Sequence, residues 1–292
     1  MLIVTTINEL LEVVEKWKRT GIKSGFVPTM GALHEGHLSL VDKSKQDNDV
    51  TVVSVFVNPI QFNNPADLQT YPRTEEEDFK LLAKKGVDMV FVPSVKEMYP
   101  EGEGKASERK FDLGETAEIL EGFHRPGHFQ GVANVVYRLF NLIRPTRAYF
   151  GMKDFQQIIV IRNMIKSEGL DVEIVPCPIK RAEDGLALSS RNMLLDDNQR
   201  KIAPEIHRTL KESLHHSKTA SVEEIVLAVE SKLNSLPGVK VESFDIVDAE
   251  TLRNVETWDE AKYIVGLITV YVGKIRLIDN IFYRGGEEYL LK

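Results

Sequence analysis

The sequence predicts an α/β fold: a parallel sheet with helices on both faces, followed by a smaller α+β region with an antiparallel sheet. Three observations predict it. Short β-branched runs alternate with helix-period segments over the first two-thirds of the 292 residues, the pattern of a parallel sheet with crossover helices. The chemically distinctive stretches follow Val27, Val57 and Phe150, at the carboxyl ends of predicted strands, where such sheets bind ligands. Beyond a break at 177–185, marked by Pro178 and Asp184-Gly185, longer strand-like runs are joined by a hairpin signal at Gly273-Lys274.

The elements follow in order. Ile7, Leu10, Leu11, Val14 and Trp17 form one helical stripe, and Ser24–Val27 reads as a strand. Leu38–Lys45 is helical, and the β-branched run Val50–Val57 suits a strand buried on both faces. Thr74 ahead of Glu75, Glu76, Glu77 and Asp78 is a capped helix start with carboxylates at the positive dipole end, a structural role for that acidic run. Met89–Val92 is the next strand, Val132–Ile143 an apolar helix, Arg147–Phe150 a strand, Asp154–Lys166 a helix and Val172–Pro176 a strand. Helices are expected over Asp196–Ser217 and Val222–Leu233, then strands over Ser243–Val247, Tyr263–Val272 and Ile275–Ile281.

Composition narrows the function classes. A net charge of -7 argues against nucleic-acid or membrane-surface binding, which need a basic face. The single cysteine, Cys177, excludes an intramolecular disulfide and fits a reducing cytoplasm. No apolar run is long enough to span a bilayer, and no secretory signal is evident.

Five stretches carry chemistry. Phe26 to His37 ends an apolar run in Pro28, passes Gly31, and delivers His34 and His37 at a helix mouth, where free N–H groups and the helix dipole attract phosphate. Their spacing of three is not that of a helical zinc pair. Gln61, in Asn58-Pro59-Ile60-Gln61-Phe62, offers donors and an acceptor suited to a hydroxy-carboxylate. Arg125-Pro126-Gly127-His128-Phe129-Gln130-Gly131 reads as a tight loop presenting Arg125 and His128. Gly151-Met152-Lys153-Asp154 opens a helix containing Gln156 and Gln157 and sets Lys153 beside a phosphate. Gly185 to Asn192 is a small-residue loop ending in Ser189, Ser190 and Arg191, whose hydroxyls and guanidinium match phosphate oxygens. Each alone also reads as an ordinary cap, turn or solvated loop. The glycine spacing fits neither the P-loop nor the dinucleotide fingerprint.

Together, Pro28–His37, Val57–Phe62, Tyr71-Pro72-Arg73, Arg125–Phe129, Gly151–Gln157, Gly185–Asn192 and Arg276–Asn280 resemble the pantoate–β-alanine ligases, within the His-x-Gly-His nucleotidylyltransferase superfamily. The resemblance covers essentially the whole chain. It implies a Rossmann-like domain over residues 1–178 that binds nucleotide and pantoate, and a C-terminal lid and dimer-associated domain over 179–292. It implies ATP-dependent ligation of pantoate to β-alanine through pantoyl adenylate, in a cytoplasmic homodimer without nucleic-acid or membrane partners. His37, His34, Lys153, Ser189, Ser190 and Arg191 would be catalytic. Met30, Gly31, Ala32, Leu33, His34, Glu35, Gly36, His37, Gly151, Met152, Lys153, Asp154, Lys180, Leu188, Ser189, Ser190 and Arg191 would line the ATP site. Gln61, Gln157 and Arg125 would bind pantoate, and Gln61 also β-alanine. Mg2+ would ride on the ATP phosphates, without direct side-chain ligation. Met152 and Leu188 depart from the residues common in the family at those positions, and neither handles charge. Two rival readings remain at this stage: an adenylyltransferase with another acceptor, and a nucleotide-binding protein that has lost activity.

Overall fold

β-Branched and aromatic residues with few charges give six short strands that pair in register as one parallel sheet: β1 (Leu2–Val4), β2 (Ser24–Thr29), β3 (Val50–Val55), β4 (Met89–Phe91), β5 (Arg147–Gly151) and β6 (Glu173–Cys177), in spatial order β1-β4-β3-β2-β5-β6. The computed structural model describes residues 1–290. β2, β3 and β4 are buried along nearly their whole length, as strands covered on both faces must be. The chain steps outward from β2 through β3 to β4, then returns to place β5 on the other side of β2. The order therefore reverses between β2 and β5, and the loops leaving β3, β2 and β5 start at adjacent carboxyl ends.

The chain divides into two compact units. The first comprises residues 1–151 and 156–177 and contains the parallel sheet. One of its apolar clusters joins Val27, Leu38, Val41, Val53, Leu82, Val90 and Tyr149. The second comprises residues 152–155 and those from 178 onward. It holds an antiparallel sheet of β7 (Val239–Asp248), β8 (Ile264–Val272) and β9 (Ile275–Arg284), in that order. Helices Glu205–His216 and Val222–Asn234 supply Ile206, Leu210, Ile225, Val229 and Leu233 to a core completed by Phe244, Ile246, Ile268 and Val270 of the sheet.

Several expectations are corrected. The helix expected over Asp196–Ser217 is two, Asp197–Ile202 and Glu205–His216; Pro204 between them lacks the N–H that a continuous helix needs. The loop expected over Arg125–Gly131 becomes helix at His128. Thr74 makes no side-chain cap, and its hydroxyl donates instead to Asp78 Oδ1 (3.1 Å). β1 is too short to have a readable period. Among the described residues, no helix is long and apolar enough to cross a membrane.

Candidate active site

In the first unit, the segment after β2 turns back on itself. Gly31 has φ +78° and Ala32 φ 50°, so both lie in the left-handed region, which is strained for a residue with a Cβ. A Cβ on Gly31 would lie 3.1 Å from both Asp78 Oδ2 and Val55 Cγ1. The turn is held by one buried carboxylate: Ala32 N–H donates to Asp78 Oδ2 (2.9 Å) and Leu33 N–H to Asp78 Oδ1 (2.8 Å). Asp78 is 1% exposed. It is the member of the Glu75–Asp78 run that shares the buried face of its helix with Leu82, one turn on.

The turn delivers His34 as the N-cap of helix Glu35–Asp47. Gly36 N–H donates to His34 Nδ1 (3.1 Å) and His34 N–H to His37 Nδ1 (3.4 Å). The two rings lie 4.1 Å apart at 31°. Because each Nδ1 accepts, each neutral ring carries its proton on Nε2. The corner thus sets two imidazole Nε2–H donors beside a helix N-terminus, suited to an anion. Glu35 at its edge is exposed, and Gly36 is half-buried.

After β3, Pro59–Gln61 forms a short 3-10 turn. Gln61 is buried, with Oε1 accepting from Asn58 Nδ2 (3.2 Å) and Nε2 set 3.1 Å from Met30 Sδ. Asn58 Nδ2 also donates to the Gly131 carbonyl (3.2 Å), and Tyr99 Oη–H donates to Asn58 Oδ1 (2.9 Å). Burial raises the Tyr99 phenol far above its ordinary value, so it stays a donor. Gly131 is needed for close approach: a Cβ there would lie 2.5 Å from the Ile60 carbonyl oxygen and 2.7 Å from Gln61 Cα. His128 Nδ1 contacts the Gln61 carbonyl oxygen (2.8 Å), while its Nε2 meets Arg125 Nη1 (3.1 Å). Arg125 also pairs with Glu121 (3.0 Å). A guanidinium can only donate, so His128 Nε2 accepts and Nδ1–H donates to Gln61. Gln157 is half-buried in the first turn of helix Phe155–Glu168. Its neighbour Gln156 is structural, bonding Thr116 O, Ile119 O and Glu121 N. Gly151 ends β5.

In the second unit, Met152–Asp154 form a 3-10 turn. Met152 is buried, and the Lys153 ammonium lies 3.5 Å from Asp154 Oδ2. Residues 180–188 double back as a narrow loop: Arg181 bridges Ala187, and Leu188 N–H donates to the Lys180 carbonyl (3.0 Å). Ser189 caps the following turn by accepting from Arg191 N–H (3.3 Å), and Ser190 is buried within it. The loop is thus a formed structure, with Lys180 at its exposed root and Leu188–Arg191 at its exit. Of the residues singled out from the sequence, the structure brings Met30 against Gln61 in the first unit and Lys180 against Leu188 in the second. It did not single out Asp78 or Tyr99 as supports.

Cys177 is excluded as a nucleophile: burial pushes its thiol up to about 11. Among the described residues, no group of three or more His, Cys, Asp or Glu side chains is arranged to hold a metal.

A family model described as pantoate-beta-alanine ligase matches residues 2–282. The chain belongs to the pantoate–β-alanine ligase family. Pantothenate synthetase from Porphyromonas gingivalis is 53% identical over 259 residues, covering 89% of this chain and 91% of the relative. That of Caldicellulosiruptor bescii is 48% identical, over 96% of this chain and 98% of the relative. Among solved structures, pantothenate synthetase from Thermus thermophilus is 43% identical with a TM-score of 0.88, over 98% of this chain and 100% of the other. Pantoate-beta-alanine ligase from Francisella tularensis, complexed with beta-gamma ATP and beta-alanine, is 37% identical with a TM-score of 0.79, over 97% of this chain and 98% of the other. The fold is therefore that of pantoate–β-alanine ligases, with the parallel sheet and the smaller antiparallel sheet in place.

Proposed function

We propose that this chain condenses pantoate with β-alanine at the expense of ATP, in two steps. A pantoate carboxylate oxygen attacks the α-phosphorus, and the bond to the bridging oxygen breaks to release pyrophosphate. The β-alanine amine then attacks the acyl carbon of pantoyl adenylate. AMP leaves with the C–O electron pair, the nitrogen gives up a proton, and pantothenate is formed. The observation that carries this reading is the His34–His37 corner: two Nε2–H donors at a helix mouth, fixed by backbone N–H groups, in a chain matched by the ligase family over residues 2–282.

Negative charge builds on phosphoryl oxygens in the first step, so catalysis is positioning plus fixed donors. His37 and His34 donate hydrogen bonds, and Lys153, Ser189, Ser190 and Arg191 supply cation and hydroxyls. Met30–His37, Gly151–Asp154, Lys180 and Leu188–Arg191 form the nucleotide site. Gln61, Gln157 and Arg125 hold pantoate, with Gln61 also beside β-alanine. Arg125 reaches that role through His128 and Glu121, which already fix its guanidinium. Magnesium would be carried by the ATP phosphates and would offset their charge, without direct side-chain ligation. The domains divide at about residue 178, and the enzyme works as a cytoplasmic homodimer.

The test is pantoate-dependent exchange of labelled pyrophosphate into ATP, followed by AMP release on adding β-alanine. Exchange with another acid but not pantoate overturns the substrate. ATP binding without exchange for any acid overturns the enzymatic reading.

A further inference from the structure

The C-terminal motif Arg276–Asn280 has no place in the ligand sites above, yet it contains two of the most buried polar side chains of the second unit. Asp279 and Asn280, on β9, are each 4% exposed. Asn280 Nδ2 donates to two successive carbonyls, Met152 O (2.7 Å) and Lys153 O (3.2 Å). Next to it, Asp279 receives both terminal nitrogens of Arg181, Nη1 at 2.6 Å and Nη2 at 2.8 Å, and its Oδ1 accepts from Asn280 N–H (2.7 Å). Arg181 Nη1 in turn donates to the Gly185 carbonyl (3.2 Å) in the turn at the tip of the 180–188 loop. Phe155, which closes the Met152–Asp154 turn, packs edge-on to Phe282 of β9 (5.7 Å) and against Tyr289 (5.4 Å).

We propose that Asn280 is a positioning residue for the adenylation step, holding the backbone of Met152 and Lys153 so that the Lys153 ammonium meets the nucleotide phosphates, while Asp279 fixes the neighbouring 180–191 loop to the same strand. The physical reason lies in the donors. A short 3-10 turn leaves its carbonyls without the i+4 partners of a helix, and a lysine on such a turn is aimed only as well as its backbone is held. One carboxamide has two N–H donors, enough for both carbonyls. Successive residues on a strand reach opposite faces of a sheet, so the Asp279–Asn280 pair addresses two loops at once. A displacement of about 1 Å at a catalytic group can lower rate by ~10²-fold.

This inference rests on the role given to Lys153 above, and a double-variant cycle separates the two. Pyrophosphate–ATP exchange and single-turnover adenylation are measured for Asn280→Ala, Lys153→Ala and the pair, with thermal unfolding as the folding control. Lys153→Ala is expected to lower kcat by ~10²–10³-fold. Asn280→Ala is expected to lower kcat by ~10–100-fold with a smaller change in the KM for pantoate. In the double variant the Asn280 change should add less than about threefold, because its effect passes through a lysine already gone. Multiplying effects, or an Asn280→Ala kcat within about threefold of the parent, overturns the positioning role alone. An unaffected Lys153→Ala overturns the lysine assignment, and this inference with it. Should Asn280→Ala fail to fold, Asn280→Ser keeps one hydroxyl donor and carries the same cycle.

Discussion

Replacing Asp78 with Asn tests whether a buried carboxylate sets the histidine corner. The parent carboxylate accepts from Ala32 N–H at 2.9 Å, Leu33 N–H at 2.8 Å and the Thr74 hydroxyl at 3.1 Å. Asn has the same shape but one acceptor; its amide must turn two hydrogens toward the other backbone N–H. A hydrogen bond to a charged group contributes about 1.5–3 kcal/mol. Losing one, and opposing a donor with a donor, should remove about 2–4 kcal/mol of stability. At about 2–4 °C per kcal/mol for a domain of this size, Tm should fall by about 5–15 °C. The left-handed conformation of Ala32 makes the loss local as well as global, since the turn relaxes once unclamped. His34 and His37 then move, and pyrophosphate exchange should drop by ~10–100-fold. Glu77→Gln, exposed on the same helical turn, is the matched control for charge. If Asp78→Asn shifts Tm by no more than about 2 °C and exchange stays at the parental rate, the carboxylate does not hold the corner.

Three further predictions follow from the same geometry. Single-turnover adenylation by His37→Ala should fall ~10²–10³-fold with a far smaller loss of ATP binding, and parental rates would remove His37 from the chemistry. Gly131→Ala puts a methyl against Ile60 O and Gln61 Cα, so stability should fall by about 1–3 kcal/mol with a raised KM for pantoate, measured by urea unfolding and initial rates. His207 is held below its ordinary pKa by burial and then by the Arg181 cation, with Asp279 opposing. The folded state therefore binds fewer protons there than the unfolded chain, and stability must fall as pH drops through the usual imidazole range near about 6.5. His207→Gln should flatten that fall in Tm between about pH 7 and 5.

The fold was legible because period and punctuation agreed with it. β-Branched runs became β3 and β8, the Ile7–Trp17 stripe became helix Ile7–Arg19, and Gly273-Lys274 became the β8–β9 turn. Pro204, which ended a helix, was visible in the sequence but outweighed by the long helical pattern around it. The groups proposed to face ligand stand out in the sequence because phosphate and carboxylate chemistry restricts the residue types that serve it. Their supports were hidden for a different reason. Asp78 stood among three other acids, and only its place on the Leu82 face of the helix marks it as buried. Gly131 read as a loop residue because its purpose, contact with the Ile60–Gln61 backbone, depends on a segment far off in sequence. Asn280 bonds carbonyls 128 and 127 positions away. No local pattern encodes such a partner.

The supports share a chemistry that explains why the two kinds of residue differ in visibility. Asp78 binds backbone N–H groups, Asn58 binds the Gly131 carbonyl, and Asn280 binds the Met152 and Lys153 carbonyls. Each fixes main chain, and Asp78 and Asn280 do so on segments whose side chains are proposed to face ligand. Such an arrangement suits a reaction whose barrier falls through fixed donors, because donors that are already oriented need not reorganise as charge develops. It also predicts how variants divide. Changes at His37 or Lys153 should lower kcat with little effect on unfolding, whereas changes at Asp78 should lower both together. An Asp78→Asn variant that lost activity with unaltered stability would mean that Asp78 acts other than by clamping the turn.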